Sequence, residues 1–457
     1  MLLRVKLFAA LFAALVSAAA LLGGCASVGE PDPQFAWVQW TGAAQPQVRL
    51  VPAGAQCPPL EVDGQLVTMH MRAAAGAPSS PTRPAWDASV CEAAVPPGAS
   101  ELRVGSQRLP VPAPQARRIV LLGDSGCRIA PGVAQACDDA EAWPFARVAA
   151  AAAATRPDLV VHLGDYHYRE APCPPGTSGC AGSPYGFAWE PWRADFFVPA
   201  APLLAAAPWV FVRGNHEECA RAGQGWARLL APGPFDAQRS CDDPRNDGVA
   251  DYASPYAVPI GAGVQLLIVD SAVAGNTPLN PQNPQDALTQ KQYAQDMRDL
   301  TRLAAPPGVR SWFISHHPVL GFAANGTGLF PGNPALQQAL RGVNGPVLFP
   351  AGVQLALHGH VHLFEALSFA QDEPPTLVAG HAGTKLDTDL PQAALQGASP
   401  APGVQVREAL HAQRFGFVLL ENTGPDTWTL SAFGTDGSVS AQCKLGPARA
   451  FRCTPAR

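Results

Sequence analysis

Short apolar runs, each closed by a polar residue and most of them by glycine before it, recur along most of the chain. "RIVLLGD", "LVVHLGD", "WVFVRGN", "VQLLIVD", "SWFISHH", "VQLALHGH", "TLVAGH" and "FGFVLLE" begin at Arg118 and end at Glu421. Runs of this length, rich in Val, Ile, Leu and Phe, predict strands buried on both faces. Helical stretches lie between some of them. "AEAWPFARVAAAAAATRPD" is alanine-rich, and "QDALTQKQYAQDMRDLTRLAA" spaces Leu288, Met297, Leu300 and Leu303 along an apolar face. Alternating strands and helices predict an α/β fold. Residues 35–113 differ. Short β-like runs there ("FAWVQW", "PQVRLV", "GQLVTMHM", "ELRVGSQRLPV") are separated by Gly, Pro and Ser, which predicts a small β-rich N-terminal domain. "WTLSAFGTDGSVS" predicts a hairpin near the C-terminus.

The start of the chain has another pattern. Arg4 and Lys6 precede the apolar run 7–22, and "LLGGCAS" follows. Leu22, Gly23, Gly24 and Cys25 resemble a bacterial lipobox, which implies a cleaved signal peptide (1–24), lipidation of Cys25 and a linker over 25–34. Export to the outer membrane or the periplasmic face is the expected location. The other ten of the 11 cysteines fall as neighbours in sequence. The expected bridges are Cys57–Cys91, Cys127–Cys137, Cys173–Cys180, Cys219–Cys241 and Cys443–Cys453, as suits an oxidising compartment. The last would close a tail at 441–457.

The 457 residues are 47% hydrophobic and 15% charged, with a formal net charge of −5. No Lys/Arg block stands out, which argues against nucleic acid as a partner. A phosphate substrate stays open, because a metal can supply positive charge.

The chemistry gathers where the strands end. Gly123 precedes Asp124, Gly164 precedes Asp165, Gly214 precedes Asn215 and His216, Gly359 precedes His360, and "SHHP" closes another strand. Carboxyl ends of strands form the ligand crevice of α/β folds, and glycine permits the sharp turn there. Carboxylate, amide oxygen and imidazole suit hard or borderline cations, and the number of ligands fits two ions sharing a carboxylate.

"GDSG", "GDYHY", "GNHE", "SHHP" and "GHVH", in that order, resemble the five motif blocks of the calcineurin-like metallophosphoesterases, over residues 119–421. The resemblance implies a four-layer αββα sandwich over 117–440 and hydrolysis of phosphoesters by metal-activated water. Glycine at 126, where most of the superfamily has histidine, and tyrosine three residues after Asp165 resemble the purple acid phosphatase branch. That branch implies Fe(III) held by Asp124, Asp165, Tyr168 and His362. It implies a second ion, Fe(II), Zn or Mn, held by Asp165, Asn215, His316 and His360. Asp165 would bridge, and His216 would contact the phosphate or protonate the leaving oxygen. Glu217 and His317 read as supporting residues, and Tyr166 and His167 as packing, with His167 a rival ligand. His162 reads as a core residue, His358 as core or supporting, and His381, which follows a strand, as a candidate to line the cleft. Two other readings stand beside this one: a weakly active or inactive surface-binding lipoprotein with structural metals, and a Mn/Zn phosphodiesterase lacking iron.

Overall fold

The computed structural model describes residues 34–455, apart from 77–79, 81, 326–327, 425 and 447–448. The leader, Cys25 and the linker up to residue 33 lie outside the described residues.

Two mixed sheets face each other. The first has eleven strands; its centre is Gly416–Gly424, Arg118–Leu122, Leu159–His162 and Trp209–Phe211, in that spatial order. The last three run parallel. The second sheet has seven strands, centred on Val264–Ile268, Arg310–Ile314, Val353–His358 and Thr376–Ala379, all parallel.

The period-2 geometry of strands explains the layering. In Arg118–Leu122, Ile119 and Leu121 face the second sheet and pack with Val258, Leu266, Trp312 and Leu355. Val120 and Leu122 face the other way, into a core with Phe145, Val148 and Phe196. The second sheet does the same: Leu267, Phe313 and Ala356 turn outward to Tyr293, Met297 and Leu340 of its covering helices. Three apolar layers thus separate four layers of structure, α–β–β–α.

The long helix Pro284–Ala304 begins at Asn283, whose side chain accepts from the backbone N–H of Gln285 and Asp286. Its buried face runs through Thr289, Tyr293, Met297, Leu300 and Ala304. Leu288, expected on the apolar face, is 41% exposed. It lies one residue before Thr289, about 100° around the helix from that stripe.

The N-terminal β-rich region precedes this core and continues its first sheet. Phe35–Trp40 pairs in parallel with Trp209–Phe211 and antiparallel with Pro46–Val51. Val90–Ala94 and His70–Ala73 complete that edge. Four short strands between residues 60 and 109 form a small separate sheet. At the other edge the hairpin Thr427–Gly434/Val439–Leu445 is followed by Phe451–Pro455. All five sequence-neighbour disulfides form: Cys57–Cys91, Cys127–Cys137, Cys173–Cys180, Cys219–Cys241 and Cys443–Cys453. Among the described residues no helix is long and apolar enough to cross a membrane.

Candidate metal centre

The candidate ligands follow five strands, three from the first sheet and two from the second. Asp124 comes two residues after Arg118–Leu122, and Asp165 three residues after Leu159–His162. Asn215 opens the turn beyond Trp209–Phe211, His316 follows Arg310–Ile314, and His360 and His362 follow Val353–His358. Because the two sheets face each other, these ends meet in one buried cluster.

The turns are tight. Gly164 has φ +100°, and a Cβ there would stand 2.4 Å from His316 Nδ1. Gly214 serves differently. Its φ is an ordinary −98°, but a Cβ would meet the Asp165 carboxylate at 2.0 Å. One glycine supplies a conformation and the other supplies space.

The cluster has two halves joined at Asp165. In one, the Tyr168 hydroxyl stands 2.8 Å from Asp165 Oδ2, 3.1 Å from Asp124 Oδ1 and 3.1 Å from His362 Nε2. In the other, Asn215 Oδ1 lies 3.1 Å from His316 Nε2 and 3.0 Å from His360 Nδ1. His316 Nε2 is 3.3 Å from the same Asp165 Oδ2. Ligand atoms of Asp165, His316 and His360 all fall within 4.8 Å of one another.

Hydrogen bonds behind the cluster fix the rings. His316 Nδ1 donates to the Leu163 carbonyl at 2.7 Å, and His362 Nδ1 to that of Lys385 at 2.9 Å. A carbonyl only accepts, so each ring presents an unprotonated Nε2 to the cluster in its neutral form. Asp387 Oδ2 accepts from the His362 backbone N–H. Glu217 accepts from the backbone N–H of Gly214, Asp165 and Tyr166, tying two ligand turns together. Burial, with Asp165 nearby, pushes the Glu217 carboxyl up to about 8.

The charge balance describes the donor set. Burial, then Asp165 and Asp124, hold the Tyr168 phenol far above its usual range. Burial would lower His316, but Asp165 and Asp124 outweigh it and raise the imidazole to about 9. Burial also raises Asp124. Two carboxylates and a phenol packed within about hydrogen-bond distance of one another, out of water, need a cation to ionise together. Oxygen-rich on one side and imidazole-rich on the other, the residues fit hard and borderline metal ions.

His216 sits against this cluster. Its backbone N–H donates to Asp165 Oδ1 at 2.9 Å, and its ring lies 3.9 Å from the Tyr168 ring, centre to centre. Glu170 Oε1 is 2.9 Å from His216 Nδ1, and Arg221 pairs with both Glu170 and His216. Burial raises Glu170, but His216 and Arg221 outweigh it and lower it. Sequence reasoning missed Glu170, Arg221 and Asp387. It also missed Asp195, which accepts from the backbone N–H of Cys127, Tyr168 and Arg169. Glu170, Arg221 and Asp387 lie six or seven residues beyond a strand–glycine step, not beside it, and Asp195 lies in the helical segment Arg193–Phe197.

The remaining candidates have other partners. The His167 ring packs near Phe187 and Trp192, and Tyr166 stacks on His162 inside the core. His162 Nε2 is 2.9 Å from the Ser125 hydroxyl, and His358 Nδ1 3.0 Å from that of Ser315. His317 Nδ1 lies 3.3 Å from the Ser271 hydroxyl. A second group of potential ligands, Cys219, Cys241 and Asp251, has both sulfurs in a disulfide and its carboxylate paired with Arg213 at 2.8 Å. It is not a metal seat.

The model of the calcineurin-like phosphoesterases matches residues 117–364. Among solved structures, a purple acid phosphatase from yellow lupin (Lupinus luteus) seeds is similar, with a TM-score of 0.51 and 15% identity. The alignment covers 90% of this chain and 74% of that one. A structure of PhoD is similar with a TM-score of 0.47 and 12% identity, over 94% of this chain and 91% of that one. At 15% identity the likeness to the lupin enzyme is one of fold alone. No curated protein matches the chain.

Proposed function

The chain belongs to the calcineurin-like phosphoesterases, whose family model spans more than half of it, and from that premise we propose that it is a metal-dependent phosphoester hydrolase. The observation that carries the reading is the convergence of Asp165, His316 and His360 within 4.8 Å, beside the Asn215 amide oxygen. These residues would hold a divalent ion such as Zn or Mn. A bound ion there supplies Lewis acidity, bringing the pKa of water from 15.7 towards about 7 and offsetting phosphoryl charge.

The protein's own groups do the rest. Asn215 and the two imidazoles set the side from which the phosphoryl group is approached. His216, held by Glu170 and Arg221, is positioned to contact a phosphoryl oxygen and to hand a proton to the leaving alcohol. Its backbone N–H fixes Asp165 at the same time.

A second ion at Asp124, Asp165, Tyr168 and His362 is the finer reading. Its support is the Tyr168 hydroxyl, which lies no more than 3.1 Å from the other three. Ferric iron at that seat would be the purple acid phosphatase arrangement. A visible absorption band that disappears in Tyr168→Phe, in protein containing iron, is the expected outcome for it. Colourless active protein with Mn or Zn would remove iron from the reading. Asp165→Asn is expected to lose both metal uptake and turnover of p-nitrophenyl phosphate and its bis ester. Full activity in that variant would refute the site.

Export and lipid attachment at Cys25 belong to the same proposal. The leader pattern and the five disulfides support them. Radioactive palmitate should label the protein and not Cys25→Ala.

A further inference from the structure

A cavity of about 810 Å³ opens beside the metal cluster. It lies under the hairpin Phe322–Asn325/Gly328–Pro331, beside the start of helix Pro334–Asn344 and the segment 399–402. His317 and His360 line it, with ring centres 4.1 Å apart, and His360 also touches Asn215. The cavity and the cluster therefore share a wall at His360.

The walls are mostly apolar. Pro318, Pro331, Pro334, Pro400 and Pro402 contribute rings, and Phe322 and Phe330 flank the hairpin. Among the described lining residues none is Asp, Glu, Lys or Arg. Several polar side chains there are already committed. Asn333 donates to the carbonyls of Ala274 and Gly275 and accepts from the Leu336 N–H. The Gln337 amide donates to Val319 and Pro400, and the Ser399 hydroxyl has its one proton within reach of the carbonyls of Ala401 and Val404, at 2.7 and 2.8 Å. The arginines near the cluster, Arg221 and Arg128, stand by His216 and Tyr168 and do not line the cavity. A second phosphate or a sugar would find few partners here. A hydrocarbon body would find a desolvated surface of the size that ligand sites use.

Resting on the phosphoester reading, we propose that this cavity seats the alcohol portion of the substrate, and that this portion is a bulky, uncharged, hydrocarbon-rich group. The test uses the full-length protein with n-alkyl phosphates from ethyl to decyl, whose leaving alcohols differ little in acidity. Binding of the matching, non-hydrolysable alkylphosphonates is measured alongside by calorimetry. Affinity and kcat/KM should both rise with chain length, by on the order of threefold per methylene while the chain is being buried. Phe330→Asp, at a residue 48% exposed on the hairpin, should flatten the rise, so that decyl phosphate loses far more affinity and kcat/KM than ethyl phosphate. Ala323→Trp, which fills the cavity from the same hairpin, is the second variant and should do the same. Affinity that does not change with chain length, or no phosphonate binding at all, overturns the proposal. Length-dependent phosphonate binding that Phe330→Asp abolishes, with no turnover of any ester, upholds the cavity and sinks the hydrolase reading instead.

Discussion

Asp124, Asp165 and His360 have φ of 57°, 59° and 68°. Left-handed backbone costs a non-glycine residue about 1–2 kcal/mol, and here it falls on three candidate ligands from three strand ends. The surrounding sheets hold it, and the side chains point into the cluster as a result. Glu365 carries a different load. Its Oε2 accepts from the Phe322 N–H at 3.1 Å, Oε1 has no partner among the described residues, and burial pushes the carboxyl up to about 8. The folded protein thus keeps a proton that the unfolded chain releases above about 4.5. Stability from this group is full below about 4.5 and is lost as pH rises through 8. Glu365→Gln removes that loss, so its stability relative to the parent should grow from pH 5 to pH 8, by up to several kcal/mol (about 1.4 per pKa unit). Urea unfolding at the two pH values checks it; an equal difference at both would mean an ionised Glu365. Most candidate ligands were legible in the sequence because they stand at the ends of apolar runs, many of them beside a glycine; Tyr168 was legible only through the resemblance to the purple acid phosphatase branch. Glu170 and Arg221 were not, although they share loops with the ligands, because nothing in the pattern marks which loop residue turns inward; Asp195 and Asp387 reach the cluster only through the fold.

Strands and helices were legible where the apolar pattern was long. The buried strands of both sheets carry no ambiguity of face, whereas the face of Pro284–Ala304 depended on Tyr293 and was misjudged at Leu288. The hairpin over the cavity was not legible: "FAAN" and "GLFP" are too short and too mixed to signal strands. The disulfides act at this scale. Cys219–Cys241 closes a loop across 22 positions just after the Asn215–Glu217 turn, with Arg213 in contact with both sulfurs. By loop-closure entropy it should stabilise the fold by about 3 kcal/mol. Replacing both cysteines by alanine should lower the urea midpoint accordingly. An unchanged midpoint would mean that this loop keeps its structure in the unfolded chain.

Across the molecule, the region before residue 117 and the core share one sheet and one apolar cluster. Trp37, Trp86 and Val90 pack with Trp189, Phe197 and Trp209. Arg49 and Arg72 reach back to the carbonyls of Arg228, Leu229 and Ala231. A chain starting at residue 114 would expose the edge of Trp209–Phe211 and those rings. It should be insoluble, while a chain starting at residue 34 should be monodisperse in size-exclusion chromatography; a soluble, folded 114–457 fragment would show the core to be independent. The position of Phe35–Trp40 has a mechanical consequence as well. It is an interior strand, bonded on one side to Trp209–Phe211 and on the other, over six residue pairs, to Pro46–Val51. Force applied in the direction of the strand would load its hydrogen bonds together in shear and not open them one by one.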